Sequence, residues 1–267
     1  MTTRQGRIDI PRSETIVSYN SLNCNRGPAA STGNASLPAE HGSPMSTDET
    51  KTAILTAAEQ LYAERSFGEV SLRDIVAAAG VNLAAVNYHF GSKDELLAEL
   101  FLSRATALNR ERFAALKEAE AAGGGRADVE AIVRALAGPP IRWCLGADRQ
   151  RSAAARFMTR AAVETVPPIR KIVERDITHL RRFAEALQRA LPERSDVDIY
   201  WGLHFALAMI RQTTTDSERL RKLSGDLCDL DDVDDIIERI VQLASVGLTG
   251  KTAPLRKERA KAAAAKG

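Results

Sequence analysis

Residues Ser71 to Lys93, SLRDIVAAAGVNLAAVNYHFGSK, decide the fold. In the first half, Leu72, Ile75, Val76 and Ala79 recur at i, i+3, i+4, i+7, which places one apolar stripe on a short helix. Ser71 is positioned to cap it, and Asp74, three residues on, suits both a capping box and the helix dipole. Gly80 supplies a turn that a residue with a side chain would resist, so the helix ends there. Val81 folds back towards the core, and Asn82 caps a second helix, Leu83 to Phe90, whose Val86 and Phe90 face inward. Leu83, Ala84, Ala85, Asn87, Tyr88 and His89 are left outward or along the flanks. Gly91 breaks this helix, and Ser92 with Glu95 opens the next. Two helices about a glycine turn, the second presenting small, amide and aromatic groups, form a helix-turn-helix pattern. A packing corner in a helical bundle shows the same pattern, and these residues alone leave both readings open.

The preceding segment completes a three-helix unit. Thr50 to Arg65 carries Ile54, Leu55, Ala58, Leu61 and Tyr62 on one face, and Phe67-Gly68 closes it before Val70 and Ser71. From Ile54 to Phe101 the chain resembles the DNA-binding domain of the TetR family of transcriptional regulators. The residues that carry the resemblance are Ala57-Ala58, Phe67-Gly68, Ser71, Ile75, Ala79-Gly80-Val81, Tyr88-His89-Phe90, Ser92-Lys93 and Leu96-Leu97. Many family members have an aromatic at the position of Asn87, whereas here the nearest aromatic is Tyr88. Base preference therefore does not carry over from the family, while the mode of docking does.

The formal net charge of +2 does not by itself point to nucleic acid. Within the three-helix unit Lys51, Arg65, Arg73 and Lys93 are matched by Glu59, Glu64, Glu69 and Asp74, so DNA binding must come from where a few cations sit and from two copies acting together. Residues 1–47 read as a disordered extension rich in Ser, Asn, Gly and Pro, without the apolar centre of a signal peptide. Met45 is the expected natural start. Cys24, Cys144 and Cys228 lack the paired spacing of a metal or redox motif and read as free thiols; no cofactor and no metal are expected. No apolar run is long enough for a membrane span, so the expectation is a soluble, cytoplasmic chain.

Downstream the pattern is helical throughout. Leu108, Phe113 and Leu116 continue a linking helix that ends at Gly123-Gly124-Gly125. Val129 to Leu136 marks a helix expected to stop before Gly138-Pro139-Pro140, with a short one over Ile141 to Leu145. Ala153 to Val163 is helical, and from Pro168 one long amphipathic helix is expected to reach Leu191. Val197 to Thr213 is apolar nearly all round and must be covered on two sides. Asp231 to Gly247 begins with acidic residues suited to a helix N-terminus and shows the stripe Ile236, Ile237, Ile240, Val241 and Ala244. The expected fold is all-α: residues 48–96 form a helix-turn-helix domain, 97–250 an effector-binding and dimerisation domain, and 251–267 a basic tail.

The resemblance implies that the last two long helices pair with their twofold mates as a homodimer, so that two reading helices meet a palindromic operator in double-stranded DNA. Arg73 would reach a guanine edge or a phosphate and Asn87 an adenine; Leu83, Ala84 and Ala85, next to the cap Asn82, would offer contacts to thymine methyls. Ser71, Tyr88, His89 and Lys93 would anchor phosphates. For a small apolar effector the candidates are Trp143, Phe157, Met158, Trp201, His204, Phe205 and Met209, with core packing the competing role of each. Ile199 to Phe205 and Asp216 to Leu220 resemble the fatty-acid-responsive PsrA-like branch, which implies a fatty acid or acyl-CoA effector. An enzyme is the rival class, but the four histidines are scattered and no nucleophile motif or phosphate-cradling loop follows a strand. A helical scaffold without DNA binding is the third reading.

Overall fold

Residues 46–250, apart from 147, 148, 165 and 176, are described by a computed structural model. Residues 1–45 of the expected N-terminal extension, the start at Met45 and the basic tail lie outside these residues, while Ser46 and Thr47 of that extension belong to the start of the first helix. Helix α1 (Thr47–Glu64) begins earlier than the apolar periodicity implies, because Ser46 and Glu49 form a reciprocal capping box that satisfies first-turn N–H groups. Helices α2 (Leu72–Ala79) and α3 (Leu83–Phe90) fall where the sequence places them. The Ser71 hydroxyl accepts from the Asp74 N–H, and Gly80 takes φ +67°, a left-handed turn that a Cβ would strain. Helix α4 (Lys93–Ala122), 30 residues long, runs to the expected stop at Gly123. At the ordinary helical rise it spans about 45 Å.

Two large buried clusters organise the described residues, beside a small one of Trp143, Ala154 and Ala155. The first holds Ile54, Tyr62, Phe67, Val70, Ile75, Val86 and Phe90 of the three-helix head, together with Leu96, Leu97, Leu100 and Phe101 at the start of α4. Phe157 and Ala161 of α6 (Arg149–Val163) and Ile169 of α7 (Pro167–Arg175) belong to the same cluster. The Phe157 ring lies 6.2 Å from Tyr62 and 5.9 Å from Phe67, and Tyr62 meets Phe67 edge-on at 5.1 Å. The second cluster gathers Leu116 of α4 with α5 (Val129–Leu145), α8 (Thr178–Ala190), α9 (Asp196–Thr215) and α11 (Val233–Thr249). A short helix that the sequence reading did not anticipate, α10 (Ser217–Ser224), lies between α9 and α11. Every element among the described residues is helical.

Two helix breaks are not where the sequence puts them. Helix α5 runs through Pro139 and Pro140 instead of ending before them. An internal proline removes one hydrogen bond and strands the carbonyl four residues back, at a cost of roughly 3 kcal/mol. Pro140 strands Leu136, and the guanidinium of Arg112 on α4 donates its Nε–H to that carbonyl at 3.0 Å. The replacement donor comes from another helix, so the local sequence shows only the defect. The single helix expected from Pro168 to Leu191 is instead two, α7 and α8. Ile169 and Ile172 of α7 pack into the head cluster, whereas Phe183, Ala184 and Leu187 of α8 pack into the second. A straight helix could not aim its stripe at both.

Removing the aromatic bridge should be costly: Phe157→Ala is expected to lower unfolding free energy by about 3–5 kcal/mol in urea denaturation. The Tyr62 hydroxyl is buried with no hydrogen-bond partner among the described residues. Tyr62→Phe should therefore raise stability by about 1 kcal/mol, and a loss in the same assay would contradict the unpaired assignment.

Candidate nucleic-acid interface and ligand cavities

Helix α3 is fixed from below by Val86 and Phe90, both buried, and at its start by Asn82, whose Oδ1 accepts the Ala85 N–H at 2.9 Å. Leu83, Ala84, Asn87 and Tyr88 are exposed as one face, and Tyr88 is 79% exposed. Ala85 and His89 are half-buried on the flank, with the His89 and Tyr88 rings edge to face at 5.1 Å. The Asn87 amide and the exposed Arg73 guanidinium make no hydrogen bond or ion pair with other described residues, so both retain their full donor capacity.

Two other candidates carry local work. The Ser71 hydroxyl donates to Asp74 at 2.8 Å, and the Ser71 N–H and hydroxyl together hold the Asp74 carboxyl below its usual range. Lys93 donates to the Phe67 carbonyl and so ties the start of α4 to the loop before α2. An ammonium has three protons, which leaves donors for a second partner. The ten residues named for DNA contact thus lie on α2, α3, the turns beside them and, for Lys93, the first position of α4.

Two of the cavities in the larger domain share a wall of Leu108, Arg112 and Met158. One, of about 280 Å³, is also lined by Trp143, Ala155 and Leu207; the other, of about 200 Å³, by Phe101, Ile172 and Leu180. The Trp143 indole N–H donates to Glu111 at 3.0 Å, and burial pushes the Cys144 thiol up to about 11. The effector candidates divide accordingly. Trp143 and Met158 line cavities, Met209 is half-buried against the second cluster, and Phe157 points into the head. Trp201, His204 and Phe205 line neither cavity: α9 buries Ile199, Leu203, Ala206 and Ile210, so these three emerge on its other face. Trp201 and Phe205 stack there at 5.5 Å, 56% and 57% exposed.

The sequence reading missed Arg112, which is only 8% exposed and lines both cavities. Its signal was positional: Leu108, Arg112 and Leu116 share one helical face, so the arginine occupies an apolar register. Also missed were Arg160 and Glu164 of α6 and the segment after it. Arg160 Nε donates to the Tyr62 carbonyl at 3.0 Å, and Glu164 accepts the Phe67 N–H at 2.8 Å, which ties α6 to the end of α1. Among the described residues no group of His, Cys, Asp and Glu could hold a metal, and no helix is long and apolar enough to cross a membrane.

Comparison with known proteins agrees with this geometry. The family model for bacterial regulatory proteins of the tetR family matches residues 54–100, and that for a tetracycline-repressor-like C-terminal domain matches 134–247. An HTH-type transcriptional repressor of Mycobacterium tuberculosis is 42% identical over 67 residues, which are 25% of this chain and 36% of that protein. The match therefore spans about a third of the length of the curated relatives. Among solved structures, a candidate transcriptional regulator from Pseudomonas aeruginosa PAO1 superposes with a TM-score of 0.56 at 19% identity, over 76% of this chain and 94% of that one. The regulator FadR of Bacillus subtilis, in complex with stearoyl-CoA, gives 0.52 at 14% identity, over 73% and 98%. At such identities these likenesses establish the fold. The two family models lie on the head and on the larger helical domain and together cover more than half of the residues: the chain belongs to the TetR family of bacterial regulatory proteins.

Proposed function

We propose that this protein is a dimeric, ligand-responsive transcriptional regulator that releases a palindromic operator when a small apolar effector enters the larger domain. The observation that carries the reading is the exposed face of α3, with Asn87 on it and Arg73 on α2 making no hydrogen bond or ion pair with other described residues. A free primary amide donates and accepts at once, which matches an adenine edge in the major groove, while methyl groups beside it suit thymine. Cations and hydroxyls around α2 and the start of α4 supply phosphate contacts that set register.

Dimerisation is supported by the apolar face shared by α9 and α11. The two helices approach closely at Gly202, where a Cβ would lie 2.2 Å from the Leu248 side chain. Together they expose Val197, Trp201, Phe205, Leu243 and Val246. A patch with two aromatic rings and several aliphatic groups is a poor solvent surface and a good twofold interface. Release by a ligand is supported by α6. Met158 lines both cavities, the neighbouring Phe157 sits in the head cluster, and Arg160 holds the end of α1. A ligand that favours a shifted α6 would disfavour the head spacing that fits DNA, in proportion to its preference for the shifted state. The stearoyl-CoA complex of one neighbour with this fold is in keeping with an acyl effector.

Mobility shift with the DNA upstream of its own gene tests the reading. A specific complex at nanomolar protein is expected, and equal binding to random DNA would favour a helical scaffold. Asn87→Ala should relax preference at one base pair, by about 1–3 kcal/mol, while Lys93→Ala should weaken all sequences alike. Phe205→Glu should convert the dimer to monomer in light scattering and reduce operator affinity by more than about tenfold, since a single head buries too few contacts.

A further inference from the structure

The buried Arg112 is costly, and its hydrogen bond to Leu136 does not account for its charge. An uncharged amide could donate to the carbonyl that Pro140 strands, without taking a guanidinium out of water. Arg112 is 8% exposed, and its one hydrogen bond among the described residues is the 3.0 Å contact from Nε to Leu136. It makes no ion pair with a described residue. Burial lowers its pKa to about 10, which still leaves it charged at neutral pH. Among the described residues neither cavity is lined by an Asp or Glu, and the larger one carries a second arginine, Arg211. The nearby carboxylate of Glu111 receives the Trp143 indole N–H.

We infer that Arg112, at the common wall of the two cavities, is the counter-charge for the carboxylate of a linear alkyl acid whose chain lies among Leu108, Met158, Trp143 and Leu207. This deepens the effector reading above and rests on it. The apolar walls set the chain, while the guanidinium, with its two Nη groups uncommitted, sets the head group. Selectivity follows from what an uncharged end would leave behind, namely a buried cation still without an anion. A thioester offers no charge at that position, so the free acid is preferred to its coenzyme A derivative.

Titration calorimetry of the full chain with octanoate, octan-1-ol and octanoyl-CoA tests this, using Arg112→Gln as the variant that keeps a donor for Leu136. The wild type should bind octanoate at least about tenfold more tightly than octan-1-ol, as expected when a buried charge pair is made rather than left open. In Arg112→Gln that preference should vanish with octan-1-ol affinity unchanged. If this variant does not fold, Arg112→Lys, which keeps the charge, should retain the preference. Equal wild-type affinity for acid and alcohol would overturn the inference and leave the effector cavity standing. Tightest binding by octanoyl-CoA would overturn the free-acid assignment, and no binding of any of the three would remove the effector reading with it.

Discussion

The insertion of Phe157 between the head and the larger domain is the contact on which the rest depends. A three-helix unit of this size buries little apolar surface alone, and its stability rises with whatever packs beneath it. Here Phe157 joins Tyr62 and Phe67 in one aromatic cluster, and Leu97, Leu100 and Phe101 of α4 continue it. The head is therefore a continuation of the larger domain's packing and not a bead on a tether. The Arg160 and Glu164 bonds to the Tyr62 carbonyl and the Phe67 N–H add direction to that contact. A close-packed joint has few alternative arrangements, so a small displacement of α6 must be answered by the head.

Charge is used sparingly. Glu59, 2% exposed, is paired with Arg104 of α4, and its carboxyl is nonetheless pushed above the usual range, chiefly by burial. Such a pair contributes little net stability but fixes how α1 lies on α4. Exposed Arg73 follows the opposite logic: it has no hydrogen-bond or ion-pair partner among the described residues, so its full charge remains available to a polyanion. With a net charge of +2 the chain has no general basic field, and position substitutes for quantity.

The prolines of α5 show how a local defect becomes a tertiary device. Pro139 and Pro140 interrupt the hydrogen-bond ladder at the point where α5 meets α4, and Arg112 crosses to repair one of the stranded carbonyls. The repair holds a guanidinium against the walls of two apolar cavities. One side chain thereby supports a helix and places a positive charge at the wall shared by two largely apolar cavities.

The sequence by itself determined the head: short-range signals such as the Ser71–Asp74 cap, the Gly80 turn and the Val86/Phe90 spacing are complete within a few residues, so α2 and α3 needed no distant partner to be read. It also determined that the other elements among the described residues are helical, because periodicity persists even where partners are unknown. Only the tertiary structure decided whether α5 would survive its prolines, where the stripe after Pro168 would break, and which face of α9 would stay bare. Each of these depends on groups far along the chain: Arg112 lies 24 residues from the carbonyl it satisfies, and Ile169 and Phe183 pack into different clusters. Trp143 and Trp201 look alike in an apolar segment, yet one lines a cavity and the other faces outward, because burial is a property of neighbours and not of the residue.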